Sequence, residues 1–199
     1  MTKPGKLQDK IDKALSALEE STGALASMAD PHSVLRTITG QVRKVTEVGE
    51  CSIILFEDED TATVVASSEN PELQDEVIDL KKYPEMRKVV ETRQALVIED
   101  VASSPLMREV SGLLDAKNIR SIAVLPISPG HELLGALFLR LKKKGDPLGE
   151  VPLHYFQATA NAAALALRNI MLLKDVSVYE RKTLDAQQIA REVHHFRRR

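Results

Sequence analysis

Cysteine occurs once in the 199 residues, at Cys51, tryptophan is absent, and aromatic residues make up only 4% of the chain. A single thiol excludes an intrachain disulfide, a thiol–disulfide exchange pair and a zinc site built from several thiolates, and it suits a reducing cytoplasm. Scarce aromatics argue against a large stacked ligand. No apolar run approaches the roughly 20 residues needed to cross a bilayer, and the opening MTKPGKLQDK lacks the apolar centre of a signal peptide. The expectation is a soluble chain that does not meet a membrane. The net charge of -2 with 28% charged residues gives no basic field for nucleic acid, and Arg197, Arg198 and Arg199 form too short a run to create one. His32, His131, His154, His194 and His195 are scattered rather than set at ligand spacing, so no metal or haem site is expected. Nothing resembles a nucleophile–base pair or a glycine-rich phosphate loop. Neither catalytic residues nor a cofactor are therefore expected.

What is present is a large apolar fraction, 43%, in a pattern that points to a layered domain. In NIRSIAVLPISPGHELLGALFLRLKKK, Asn118 to Lys144, two strands flank a Ser128-Pro129-Gly130 turn, and neither strand alternates between apolar and polar residues. Ile122, Val124 and Pro126 point one way while Ala123, Leu125 and Ile127 point the other. After the turn, Leu133, Leu137, Leu139 and Leu141 oppose Leu134, Ala136 and Phe138. Both faces of this hairpin must be covered.

The coverings are legible on either side. Leu7, Ile11, Ala14, Leu18, Ser21, Leu25 and Met28 recur at alternating spacings of four and three, a heptad seam. Asp30-Pro31 interrupts it, with Asp30 placed to cap a second helix whose core stripe is Val34, Leu35, Ile38, Val42 and Val45. ECSIILFE and TATVVASS read as strands joined by the acidic turn Glu57 to Asp60. YPEMRKVVETRQ reads as a helix, ALVIED as a short strand, and SSPLMREVSGLLDAKN as a further helix. From Val151 one long helix carries two offset stripes. Leu153, Phe156, Ala160, Ala163, Leu167 and Ile170 suit the sheet. Leu165, Asn169, Leu172, Val176, Tyr179, Thr183, Ala186, Ala190 and Val193 suit a partner helix. The layout is α+β around an antiparallel sheet, with the terminal helices on one face and the segment from Asn70 to Lys117 folded over the other.

Four segments in this order, VLRTITGQVRKVTEVGECSIILFED, YPEMRKVVETRQALVIEDVASSPL, NIRSIAVLPI with HELLGALFLR, and ATANAAALALRNIMLL, resemble the GAF domain of bacterial signalling proteins. The resemblance implies a PAS-related six-stranded antiparallel sheet between helices, over residues 30–173, with an N-terminal coiled-coil helix over 1–29 and a C-terminal signalling helix over 174–199. It also implies a non-catalytic sensory or regulatory module, a homodimer held by terminal helices, and a small molecule or partner bound under the cap and coupled to an output domain. The family's alternatives are a ligand-free dimerisation scaffold or the sensor portion of a histidine kinase. The interface is expected at Leu7, Ile11, Leu18, Leu25, Leu172, Val176 and Tyr179. The ligand site is expected at Tyr83, Arg87, Asp100, Ser103, Met107, Arg120 and Ser121, which combine polar handles with apolar bodies in the cap and at strand ends.

Several subclasses of the family fit less well. No Asn-Lys-x(n)-Phe-x(3)-Asp-Glu signature of cyclic-nucleotide binders occurs, and bilin attachment needs a cysteine in the cap region, whereas Cys51 falls in the first strand and reads as core. Glu99 and Asp100 leave a strand on opposite faces, which suits Asp100 to capping a turn rather than to paired acid–base work. The ending AREVHHFRRR faintly resembles a kinase phosphoacceptor segment, but Phe196 and the arginines stand where its Arg-x-Lys-Asn would follow. His194 and His195 are also about 100° apart on a helix and share no metal-binding face.

Overall fold

The computed structural model describes residues 12–21, 23, 30–46, 48–146, 148, 151 and 153–196, with side chains in the last helix over 154–176. Leu7, Ile11, Leu25 and Met28, and the side chain of Tyr179, lie outside the described residues. The chain divides into two compact units, Met1–Leu167 and Arg168–Arg199.

In the first unit, helix α1 covers 12–21 and is followed by α2 (Pro31–Thr46), β1 (Glu50–Phe56), β2 (Thr61–Ser67), β3 (Val77–Asp79) and α3 (Pro84–Thr92). Then come β4 (Leu96–Ile98), α4 (Ser111–Ala116), β5 (Ser121–Ile127), β6 (Gly135–Leu141) and the start of α5 (Leu153–Phe196). The strands form one six-stranded antiparallel sheet in the order β3-β2-β1-β6-β5-β4. Asp30 caps α2 as expected: its Oδ2 accepts from the Ser33 amide at 2.9 Å. The acidic turn between β1 and β2 is built on Asp58, whose Oδ1 accepts from the amides of Asp60 at 2.8 Å and Thr61 at 2.7 Å. Opposite Ile53 and Ile54 the register jumps from Ala66 to Val64, so Val65 forms a bulge, and its carbonyl oxygen lies 3.3 Å from His32 Nδ1.

Both sheet faces are buried. Ile54, Ala62, Val64, Ile98, Ile122, Val124, Ala136 and Phe138 of the strands belong to one cluster with Leu80, Met86, Val89, Val101, Met107 and Ile119 from the connecting segments. Their neighbours along the strands, Cys51, Ile53, Leu55, Ala123, Leu125, Ile127, Leu137 and Leu139, point the other way and are buried too, as are the α2 stripe and Tyr155, Phe156, Ala163 and Leu167 of α5. Cys51 is fully buried in this second layer, where burial and the neighbouring Glu50 charge hold its thiol well above the usual range.

Three details differ from the sequence reading. The loosely patterned stretch before Tyr83 contains the sixth strand, β3, a three-residue edge on which only Ile78 is buried. The helix expected over SSPLMREVSGLLDAKN is broken into a 3-10 turn, Pro105–Met107, and α4. Met107 is carried into the cluster by that turn, and Val110, at φ -108 and ψ -3, stands as the N-cap where α4 begins. Third, α1 already buries Ala14, Ala17 and Ser21 within the chain while Leu15 is 54% exposed, so the seam positions Ala14 and Ser21 are covered without a second copy; Leu18 is half-buried. In the second unit α5 continues, and Leu172, Leu173 and Val176 stand exposed on it.

Candidate functional site

Between the cap-side face of the sheet and the segment folded over it lie three cavities of about 400, 130 and 160 Å³, and Lys117 and Arg140 border all of them. Arg140 is the last polar position before the end of β6. It shares a strand face with Ala136 and Phe138, which turns a guanidinium toward the buried side of the sheet. Its Nη1 donates to Glu50 Oε2 at 2.9 Å, and the two side chains retain only 17% and 12% of their exposure. The guanidinium also sits over the Phe138 ring, 4.3 Å from its centroid. Glu50 and Arg140 are ninety positions apart but directly opposed in the β1–β6 register.

Facing this pair from the cap is Glu85. It follows Pro84 in the first turn of α3 and is 2% exposed. Burial raises its carboxyl above the usual carboxylate range, opposed by its own backbone amide and by the Arg140 charge. Glu85 Oε2 and Arg140 Nε both lack a hydrogen-bond partner although both are shut away from solvent. Among the described residues only Ser128 Oγ shares this condition, and it lies away from these cavities; two orphaned atoms beside one cavity mark where polar partners are missing. Tyr83 lines two of the cavities, half-buried; burial raises its phenol above the ordinary value, with Arg140 opposing and Glu85, Glu76 and Glu50 adding to the shift.

The Glu85 shift has a testable sign. Its folded pKa lies above the unfolded one, so its contribution to stability is fully present below about pH 4.3, the unfolded value, and is lost as pH rises through the folded value. Glu85→Gln, which stays neutral, is expected to raise the melting temperature at pH 7 and to leave it unchanged near pH 4. Equal effects at both pH values in a thermal melt would contradict a buried, ionisation-resistant carboxyl.

A family model described as the GAF domain matches residues 28–168. The chain belongs to the GAF domain family. Among solved structures this GAF domain is similar to that of a phosphoenolpyruvate-protein phosphotransferase from Acinetobacter, with a TM-score of 0.67 and 16% identity over 81% of this chain and 97% of that one. It is similar to the phycocyanobilin-bound GAF domain of a cyanobacterial phytochrome, with a TM-score of 0.64 and 22% identity over 80% and 96% of the two chains. A methyl-accepting chemotaxis protein, residues 122 to 287, matches with a TM-score of 0.61 and 19% identity over 79% and 99%. Among curated proteins none matches the chain.

Of the residues expected to line the GAF cavity, the structure brings only Tyr83 to its wall. Arg87 is exposed on the outer side of α3. Asp100 caps its own turn, accepting from the Ala102 amide at 3.2 Å, and pairs with Lys144 at 2.7 Å; these contacts, Lys144 foremost, hold its carboxyl below the usual range. Ser103 is exposed and donates to the Asp100 carbonyl at 3.2 Å. Met107 is fully buried in the cluster, Arg120 pairs with Asp115, and Ser121 is buried with its hydroxyl given to the Lys143 carbonyl at 2.9 Å. Glu50, Ser52, Glu85, Lys117 and Arg140 were not anticipated. One signal could have found Arg140: a strand read as buried on both faces leaves no exposed position for a charge. Cys51 lies on the opposite sheet face from the cavity, so the chain's one thiol is not placed to hold a bilin there.

Proposed function

We infer that this chain is a sensory or regulatory module that takes a small molecule into the cavity between sheet and cap, and that occupancy biases the helix leaving the domain. The observation that carries this reading is the pair of buried, partnerless polar atoms, Glu85 Oε2 and Arg140 Nε, beside one cavity. A bound molecule supplying both partners would remove two desolvation penalties, each of about 1–3 kcal/mol. The test is a thermal-shift screen of the full chain against a broad metabolite library. A ligand that binds only the native state stabilises it by about 2.7 kcal/mol at a concentration 100 times its Kd. At least one compound is expected to raise the melting temperature of the wild type and not of Arg140→Gln. A library without any such compound would speak for a ligand-free scaffold.

The module works as a homodimer in this reading, with α5 as the shared element. Support comes from Leu172 and Val176, 61% and 53% exposed and four residues apart on one helical face. Replacing both by glutamate is expected to convert dimers to monomers in sedimentation equilibrium with the melting profile of the domain little changed. Dimers that persist would remove this stripe from the interface.

A further inference from the structure

We propose that the ligand is a small zwitterion with a short apolar body, of the free amino acid type, its ammonium held by Glu85 and its carboxylate by Arg140 and Lys117. This rests on the ligand-sensing reading above and names the chemistry of the same site.

One of the three cavities is lined by Glu85 itself. Its volume is about 160 Å³, below the roughly 300 Å³ at which drug-sized ligands are held, yet many times what one water needs. A molecule of amino-acid size fits, and a tetrapyrrole or dinucleotide does not. Its lining is of two chemical kinds. Val110, Leu113, Leu114 and Ile119 are apolar, and Leu113 has 70% of its surface exposed.

The charged part of the lining is Glu85, Arg140, Lys117 and Lys82. Glu85 needs a donor at Oε2. An ammonium serves better than a neutral N–H, because it also supplies the countercharge that burial denies this carboxylate, and charge-assisted bonds are roughly twice as strong as neutral ones. Arg140 is only partly compensated: Glu50 takes Nη1, and Nε still has a proton to donate. Lys117 borders the same cavity and joins no ion pair among the described residues, whereas Lys142, nearby on the wall of the largest cavity, is paired with Glu69. A negatively charged acceptor therefore suits Arg140 and Lys117, and a positively charged donor suits Glu85. One molecule carrying both charges, with an apolar substituent directed at Leu113 and Leu114, meets all these requirements at once.

The experiment is isothermal titration calorimetry on the full chain with a panel of apolar α-amino acids and, for each, its two truncated analogues. For L-leucine these are 4-methylpentanoate, which lacks the ammonium, and 3-methylbutylamine, which lacks the carboxylate. At least one amino acid of the panel is expected to bind, with its corresponding truncated analogues roughly ten- to a hundredfold weaker, as the loss of a charged hydrogen bond implies. Glu85→Gln and the exposed Lys117→Ala are each expected to weaken the same amino acid about tenfold or more while both variants remain folded. Silence across the whole panel overturns the proposal, as does binding that survives removal of either charged group or of Glu85. If the metabolite screen yields a stabilising compound that is not a zwitterion, the proposal falls and the sensory reading stands. If no compound stabilises the chain, both fall.

Discussion

Gly135→Ala is expected to cost at least about 3 kcal/mol and to lower the melting temperature by about 10 °C. A methyl group built on Gly135 would sit 2.0 Å from the Ile54 carbonyl oxygen and 3.3 Å from the Leu55 Cα. Those atoms are backbone of β1, the strand paired with β6, and backbone in the centre of a sheet has no rotamer with which to move aside. Relief requires β1 and β6 to separate where Gly135 faces both Leu55 and Ile127 in the register. The matched control is Gly40→Ala within α2, where a methyl meets nothing within 4 Å and helix propensity favours alanine by about 1 kcal/mol. One alanine should therefore weaken the domain and the other strengthen it. Equal effects in chemical denaturation would mean that the β1–β6 contact is looser than described.

Arg140→Met is the second large effect, with an expected loss of about 3 kcal/mol. The substitution removes a guanidinium that is mostly buried and leaves Glu50, 12% exposed at its side chain, without its counter-charge. It also ends the contact with the Phe138 ring. The companion variant decides the cause. If the cost comes from the stranded carboxylate, then Glu50→Gln combined with Arg140→Met should recover most of it, because removing both charges of a buried pair is often close to neutral. A double variant as unstable as the single one would assign the loss to packing of the arginine stem instead. Neither variant is expected to retain ligand stabilisation, so the pair separates a structural from a recognition role: stability returns in the double variant and ligand response does not.

The sequence carried the layers of this fold because its apolar pattern is doubled. Ile122 to Ile127 and Leu134 to Leu141 leave no polar face, and the structure buries both sides as that requires. The offset stripes of α5 were legible for the same reason: Phe156, Ala163 and Leu167 are buried, Leu165, Leu172 and Val176 exposed. β3 was not legible, since three residues with one buried side chain give no alternation to count. Periodicity predicts one helix through Met107 because it records which side chains are apolar, not that one of them must be carried inward at the cost of a turn.

The cavity was less accessible still. Glu85 looks like an ordinary acidic residue in the first turn of a helix, where it complements the dipole; only the fold shows that it points inward. Glu50 and Arg140 are an interaction across ninety positions that no local pattern contains. The polar residues chosen from sequence, Arg87, Asp100, Ser103 and Arg120, share the cap segment and its margins but are exposed or satisfied locally. What distinguishes a site residue here is an unmet bond in a buried place, and that is a property of three dimensions.

The central claim is that a small ligand completes the hydrogen bonding of Arg140 and Glu85. It is tested most directly by following the Arg140 Nε–Hε resonance in a nitrogen-15 spectrum of the full chain, assigned with Arg140→Lys, while a stabilising ligand is titrated to saturation. The account expects that signal to shift and its proton exchange to slow, with the Arg36 signal unmoved at the surface. A ligand that saturates the protein and leaves the Arg140 Nε–Hε signal where it was would contradict it.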